Sequence, residues 1–319
     1  MAKKFSRNLT VAVDLGGTNL RVAVVSRKGK ILKKVEALTI RKGKNGKVIT
    51  GQIIRLVEEI RTDFGLKNFL GIGVSGAGPQ DRKRGAIANA PNMAFNYIPI
   101  VEPLWIKFKI PVYLLNDGNA GALGEKYFGL GKKIENLVYI TMSSGIGGGA
   151  IVNGNLLLGK DGSAAEIGHM VVDTEYNMPC SCRKGRGHWE AYASGNNIPK
   201  FLQAWVEREK IRKIKFGYSS AEDIFEAARK KDKIALEFMK ELGKINGRGI
   251  SNVVAAYDPE VIVFGGAVAL NNFDLIIRYA KPNIDKFLKI PKIVKSPLGE
   301  NAPLLGAGSY VLSYPHRNP

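Results

Sequence analysis

Short apolar runs, glycine-rich turns and amphipathic stretches follow one another along this chain. Leu9–Leu15 and Asn19–Ser26 predict two strands joined by the turn Gly16-Gly17-Thr18, and Ile31–Leu38 predicts a third strand in an antiparallel meander. Within Val48–Phe64, Ile53, Ile54, Val57 and Ile60 recur at the spacing of one helical face. Phe69–Val74 and Val112–Leu115 predict short buried strands, and a helix over Asn119–Tyr127 follows the second. Val138–Met142 and Gly148–Val152 predict another strand pair around a glycine turn. Helices dominate from Asn196 to Ala256, Val261–Phe264 is a late buried strand, and Ala302–Leu312 is a terminal helix.

The plan of Val11–Val25 (strand, glycine-rich turn, strand) recurs in Val138–Val152, which reads as an internal duplication of one nucleotide-handling unit. The pattern predicts an α/β protein of two domains, 1–116 and 117–301, with a helix near 302–313 packing back on the first. A length of 319 residues is comfortable for two such domains. No low-complexity linker separates them, so the boundary near Leu115–Asp117 is expected to be a hinge between packed domains.

Composition narrows the class. Hydrophobic residues at 45% and charged residues at 24% describe a globular protein. No apolar run approaches the roughly 20 residues that span a bilayer. The basic start MAKKFSRNLT has no apolar leader segment, so a cytoplasmic location and no membrane partner are expected. The net charge of +20 gathers in Arg27–Lys47, Lys200–Lys215 and Lys281–Lys295. These runs hold few aromatics and match no nucleic-acid module, so they predict a solvated lysine-rich surface.

The chemistry is concentrated at a few points. Val112–Leu115 ends in Asn116-Asp117, and a small-residue helix opens behind them. Asp is a favoured helix N-cap, and an acid between a strand end and a helix N-terminus is also oriented and kept ionised. It suits a general base acting on a hydroxyl. Two turns, Asp14-Leu15-Gly16-Gly17-Thr18-Asn19 and Ser143-Ser144-Gly145-Ile146-Gly147, can bring backbone N–H groups close to phosphates. Asp14 at its strand end could hold Mg²⁺ through water. Gly265-Gly266, after a buried strand, allow close approach to a nucleoside. One acid with two phosphate turns points to phosphoryl transfer to an alcohol. Gly71-Ile72-Gly73-Val74-Ser75-Gly76 matches a dinucleotide fingerprint by letter, but its apolar residues form the strand itself and no helix follows, so it is rejected. No P-loop sequence exists. Both cysteines lie in Cys180-Ser181-Cys182, and two of the three histidines, His169 and His188, flank them. That clustering predicts a tetrahedral Cys₂His₂ metal site.

These turns, the Asn-Asp pair, Glu166-Ile167-Gly168-His169 and the Cys-x-Cys segment together resemble the ROK sugar kinases, and the resemblance runs from Asp14 to Gly306. It implies two RNase-H-like domains of the actin-like ATPase superfamily closing on a central cleft. It implies ATP-dependent phosphorylation of a hexose at the 6-hydroxyl, glucose first, with Asp117 as base, Mg²⁺ with the nucleotide, and a structural Zn²⁺. Gly76, Asn92, Asn116, Asp117, Glu166, His169 and Glu190 would meet the sugar. Asp14, Gly16, Gly17, Thr18, Asn19, Ser143, Ser144, Gly145, Gly265 and Gly266 would meet the nucleotide, and the metal would fall to His169, Cys180, Cys182 and His188. A homo-oligomer, dimer or tetramer, is common in such proteins. The chain departs from the family's Cys-x-Cys-Gly-x-x-Gly-Cys-x-Glu by one extra residue and by His188 in place of the third Cys. Ser143-Ser144 also replaces the usual Gly-Thr. Alternatives are a kinase for N-acetylmannosamine or N-acetylglucosamine, a sugar-responsive transcriptional regulator, and an actin-like filament or chaperone ATPase. Regulators carry an added N-terminal helix-turn-helix, and only Met1–Leu9 precede the first strand here.

Overall fold

The computed structural model describes residues 8–65, 68–211 and 217–313, which form two compact units. Residues 1–7, and part of the basic run Lys200–Lys215, lie outside the described residues. One unit takes the chain up to Lys133, together with Asn155–Ala164 and the described residues from Asn301 on. The other takes Ile134–Gly154 and Ala165–Glu300. The helix Asp117–Phe128 therefore sits with the first unit, whereas the strand pattern alone opens the second domain at residue 117.

In the first unit, β1 (Leu9–Leu15), β2 (Asn19–Ser26) and β3 (Ile31–Leu38) form the expected antiparallel meander. β4 (Phe69–Gly76) lies parallel to β1, and β5 (Val112–Asn116) parallel to β4, giving the order β3-β2-β1-β4-β5. Side chains alternate across the sheet. Val11, Val13, Leu15, Ile72 and Val74 face Ile49, Ile53, Val57 and Ile60 of the helix Lys47–Arg61 in one core. Gly73 faces Ala307 of the terminal helix Ala302–Ser313 on the opposite side. The letters Gly71–Gly76 lie wholly within a strand, in keeping with their rejection as a dinucleotide motif.

Three short strands, Gln80–Asp81, Ala86–Ala88 and Tyr97–Pro99, make a small sheet that the sequence pattern does not reveal. Runs of two or three residues carry no measurable alternation. The helix Val101–Phe108 was equally hidden, because Pro103 reads as a breaker although the first helical turn tolerates it.

The second unit repeats the plan. β6 (Leu137–Met142) and β7 (Ile146–Val152) are antiparallel, β8 (Val261–Gly265) is parallel to β6, and β9 (Lys292–Lys295) is parallel to β8. The order β7-β6-β8-β9 matches β2-β1-β4-β5. The helix Lys233–Tyr257 starts at Asp232, whose side chain accepts from the Ala235 N–H, and buries Phe238, Met239, Leu242 and Ile245 in the core. Among the described residues, no helix is long and apolar enough to cross a membrane.

Two helices of the first unit touch through their backbones. A Cβ at Gly306 would collide with the Ala120 carbonyl oxygen, and one at Gly124 with that of Ala302. Gly306→Ala is expected to lower unfolding stability by about 2–3 kcal/mol through overpacking. Gly51→Ala, in the helix Lys47–Arg61 where an added Cβ meets nothing within 4 Å, should raise it by about 0.5–1 kcal/mol. Denaturant titration of both variants beside the parent reads the two opposite signs.

Candidate functional site

In the first unit, β1, β4 and β5 run parallel and end together, with Asp14 aligned to Ser75 and Gly76 to Asn116. Ligands of open α/β sheets bind at such carboxyl ends. The turn after β1 is closed by a hydrogen bond of 2.9 Å from the Gly16 N–H to the Asn19 carbonyl. Its other carbonyls are held from outside. The Thr39 hydroxyl donates to Gly16 at 2.8 Å, the Thr39 N–H donates to Thr18 at 2.8 Å, and Arg41 donates to Gly17 at 3.2 Å. Thr18 and Asn19 are exposed at its tip. Gly17 passes so close to the Asn92 carbonyl that any Cβ would collide with it, which brings Asn92 to this turn. Asp14 is buried, and Arg21 places Nε 3.1 Å from its Oδ2 and a second guanidinium nitrogen on the same oxygen.

Asn116 and Asp117 divide the work at the end of β5. Asn116 is extended and its Oδ1 accepts from the Gly118 N–H at 2.8 Å, so Asn116, and not Asp117, is the N-cap. Asp117 is the first helical residue, half-buried, with its Oδ1 also 2.8 Å from the Gly118 N–H. The positive end of the helix stabilises its negative charge.

In the second unit, the turn between β6 and β7 is tied from three directions. The Ser143 N–H donates to Gly145 at 2.9 Å, the Gly195 N–H donates to Ser143 at 2.7 Å, and the Ile146 N–H donates to Glu190 Oε2 at 3.0 Å. Strand register aligns Gly265 with Thr141, so Gly265 and Gly266 flank this turn. Gly266 has φ +81° and abuts the Met142 carbonyl, a combination open only to glycine.

His169 leaves the short helical turn Ile167–His169, and Cys180, Cys182 and His188 come from a tight hairpin. The hairpin is closed by the Cys180 N–H donating to Gly185 at 2.9 Å and the Gly187 N–H donating to Met178 at 2.9 Å. Cys180 Sγ lies 3.7 Å from His169 Nδ1, and Cys182 Sγ lies 3.7 Å from His188 Nδ1. All four ligand atoms fall within 4.8 Å of one another. A tetrahedral ion bound to sulfur at about 2.3 Å and nitrogen at about 2.0 Å would hold them about 3.6 Å apart, so the donor set fits a metal. Burial pushes the Cys180 thiol up to about 11, and burial with neighbouring His169 lowers His188. A bound cation favours the thiolates and the neutral imidazoles that ligation requires.

The carboxylate of Glu166 is 4.0 Å from His169 Nε2. Burial pushes it above the ordinary range, His169 opposing this and Glu190 adding to it. Trp189, fully buried between His188 and Glu190, donates from Nε1 to Asn246 Oδ1 at 2.9 Å on the helix Lys233–Tyr257. The second unit thus gathers Glu166, His169, Cys180, Cys182, His188 and Glu190, while the first gathers Asp14, the glycine turn, Gly76, Asn92, Asn116 and Asp117.

The sequence pattern does not single out Arg21, Ser181, Trp189 or Asn246. Arg21 had a usable signal: Asp14 and Arg21 are equidistant from the turn, and a hairpin makes such residues cross-strand partners. Trp189 and Asn246 lie too far apart in sequence for any local signal.

The family model "ROK family" matches residues 10–313. A glucokinase of Pyrobaculum calidifontis is 36% identical over 307 residues, covering 96% of this chain and 95% of that one. A glucokinase of Thermotoga maritima is 34% identical over 314 residues, covering 94% and 96%. The crystal structure of a ROK family glucokinase from Streptomyces griseus in complex with glucose and AMPPNP superposes with a TM-score of 0.76 at 27% identity, covering 96% of this chain and 99% of that one. With its two repeated sheets, its paired glycine turns and a match over nearly its whole length, the chain belongs to the ROK family.

Proposed function

We propose that this chain is an ATP-dependent glucose kinase that transfers the γ-phosphoryl group to the sugar's 6-hydroxyl. The observation that carries the reading is Asp117, an oriented carboxylate at the carboxyl end of β5, in a chain similar to glucokinases almost end to end. ATP supplies the phosphoryl group. Asp117 accepts the hydroxyl proton as the sugar oxygen bonds to the γ-phosphorus, and the bond from that phosphorus to the ADP oxygen breaks.

The remaining roles follow from chemistry. Backbone N–H groups of the two glycine turns, with the hydroxyls of Thr18 and Ser144, suit phosphate oxygens. Asp14 suits a hydrated Mg²⁺, and Arg21 fixes its carboxylate. Gly265 and Gly266 leave room for the nucleoside. Asn92, Asn116, Glu166, His169 and Glu190 offer the directional donors and acceptors that a hexose requires, beside the backbone at Gly76. Cys180, Cys182, His169 and His188 suit a structural Zn²⁺, which would orient His169 and the loop before Glu190 while the proton transfer stays at Asp117.

Asp117→Asn should reduce kcat by about 10²–10⁴-fold while glucose still binds. A coupled ADP-release assay beside calorimetric glucose titration checks it, and near-parental turnover would overturn the assignment. Stripping the metal with a chelator should weaken glucose affinity by about 10–100-fold, with one zinc per chain in the untreated protein by atomic emission. A panel of glucose, mannose, fructose, N-acetylmannosamine and N-acetylglucosamine with ATP and Mg²⁺ should give its highest kcat/KM on glucose.

A further inference from the structure

The Glu190 carboxylate spans two loops of the second unit. Its Oε2 accepts from the Ile146 N–H at 3.0 Å, the first residue after the turn Ser143-Ser144-Gly145. Its Oε1 accepts the Ser181 hydroxyl at 2.5 Å and lies 3.9 Å from Cys180 Sγ. Ser181 stands between the two cysteines and is itself exposed. A continuous strap therefore runs from the Cys-x-Cys hairpin, through Ser181 and Glu190, to the backbone of the second glycine turn.

We propose that Ser181 is a positioning residue through which the metal-bound hairpin sets the second glycine turn, so that metal loss weakens nucleotide binding as well as sugar binding. The inference rests on the kinase reading of this site and deepens it. With both neighbouring thiolates bound to one ion, the backbone at Ser181 is fixed and its hydroxyl reaches Glu190 in one geometry. A hydroxyl donating to a carboxylate is a charge-assisted bond, stronger than a neutral one. It stops the carboxylate from rotating, which keeps Oε2 on the Ile146 N–H. Without that donor the turn samples more conformations, and the nucleotide must order it on binding.

Ser181→Ala removes the donor and leaves all four metal ligands in place. The probe is AMPPNP, titrated by calorimetry into the zinc-loaded full chain without sugar, with zinc content and circular dichroism measured on each sample. Ser181→Ala should keep one zinc per chain and bind AMPPNP about 3–10-fold more weakly. Ser181→Thr, which restores a hydroxyl, should stay within about twofold of the parent. A chelator should bring the parent to the affinity of Ser181→Ala and should not weaken that variant further. Unchanged AMPPNP affinity in zinc-loaded Ser181→Ala, or in the folded, chelated parent, overturns the strap while leaving the kinase reading intact. A zinc-loaded parent that neither binds AMPPNP nor phosphorylates any sugar overturns both.

Discussion

The carboxylate proposed as the base is aimed by a contact made well behind it. The helix Asp117–Phe128 lies against the terminal helix with glycine at the crossing on both sides, so peptide groups meet peptide groups. Side chains can adjust to a shifted neighbour, whereas backbones in contact cannot, and close-packed interiors transmit such constraints over their whole length. The helix is thereby fixed in rotation and in height. Asn116 caps it and Asp117 opens it, so this packing fixes the backbone from which the carboxylate projects.

The second unit fixes its site loop through buried aromatic rings. Trp189 is fully buried and hydrogen-bonded to Asn246, so the backbone on either side of it starts from a fixed point. One neighbour, His188, turns toward the cysteines, and the other, Glu190, turns toward the glycine loop. Tyr192 adds a second tie, donating to Asp173 at 2.8 Å and accepting the Met178 N–H at 2.9 Å. Loops rich in polar residues are ordinarily mobile. Here Trp189 anchors the loop to a core helix, and Tyr192 ties two of its segments together.

Strong local patterns made most of this legible in advance. The meander over residues 9–38, the strand ending at Asn116 and the late strand ending at Gly265 carry dense β-branched and apolar runs, and they form where the pattern puts them. The Cys-x-Cys segment and its flanking histidines were readable because so few residues of either type occur elsewhere. The helix Val48–Phe64 stops at Arg61, three residues early: the Phe64 N–H donates to Arg61 in a turn that leads to Gly65 at φ +67°, although Phe64 still packs on the same core. The cap falls on Asn116 rather than Asp117, a choice the sequence leaves open because Asn and Asp compete nearly equally for that role and only the backbone angles decide between them. The Asp14–Arg21 pair, the strap through Ser181 and the Trp189–Asn246 bond depend on residues meeting across loops or across the sheet, which local composition does not encode.

The first unit is discontinuous in sequence, and this bears on how it is made. Its five-stranded sheet is complete once Asn116 has been translated, yet the helix that covers Gly73 and crosses Asp117–Phe128 begins only at Ala302. At a synthesis rate of about 5–20 residues per second, the interval is roughly 10–35 seconds. Throughout it, one face of the nascent sheet remains without its cover on the ribosome. An arrested nascent chain shortened before that point would present an open apolar surface to holdase chaperones.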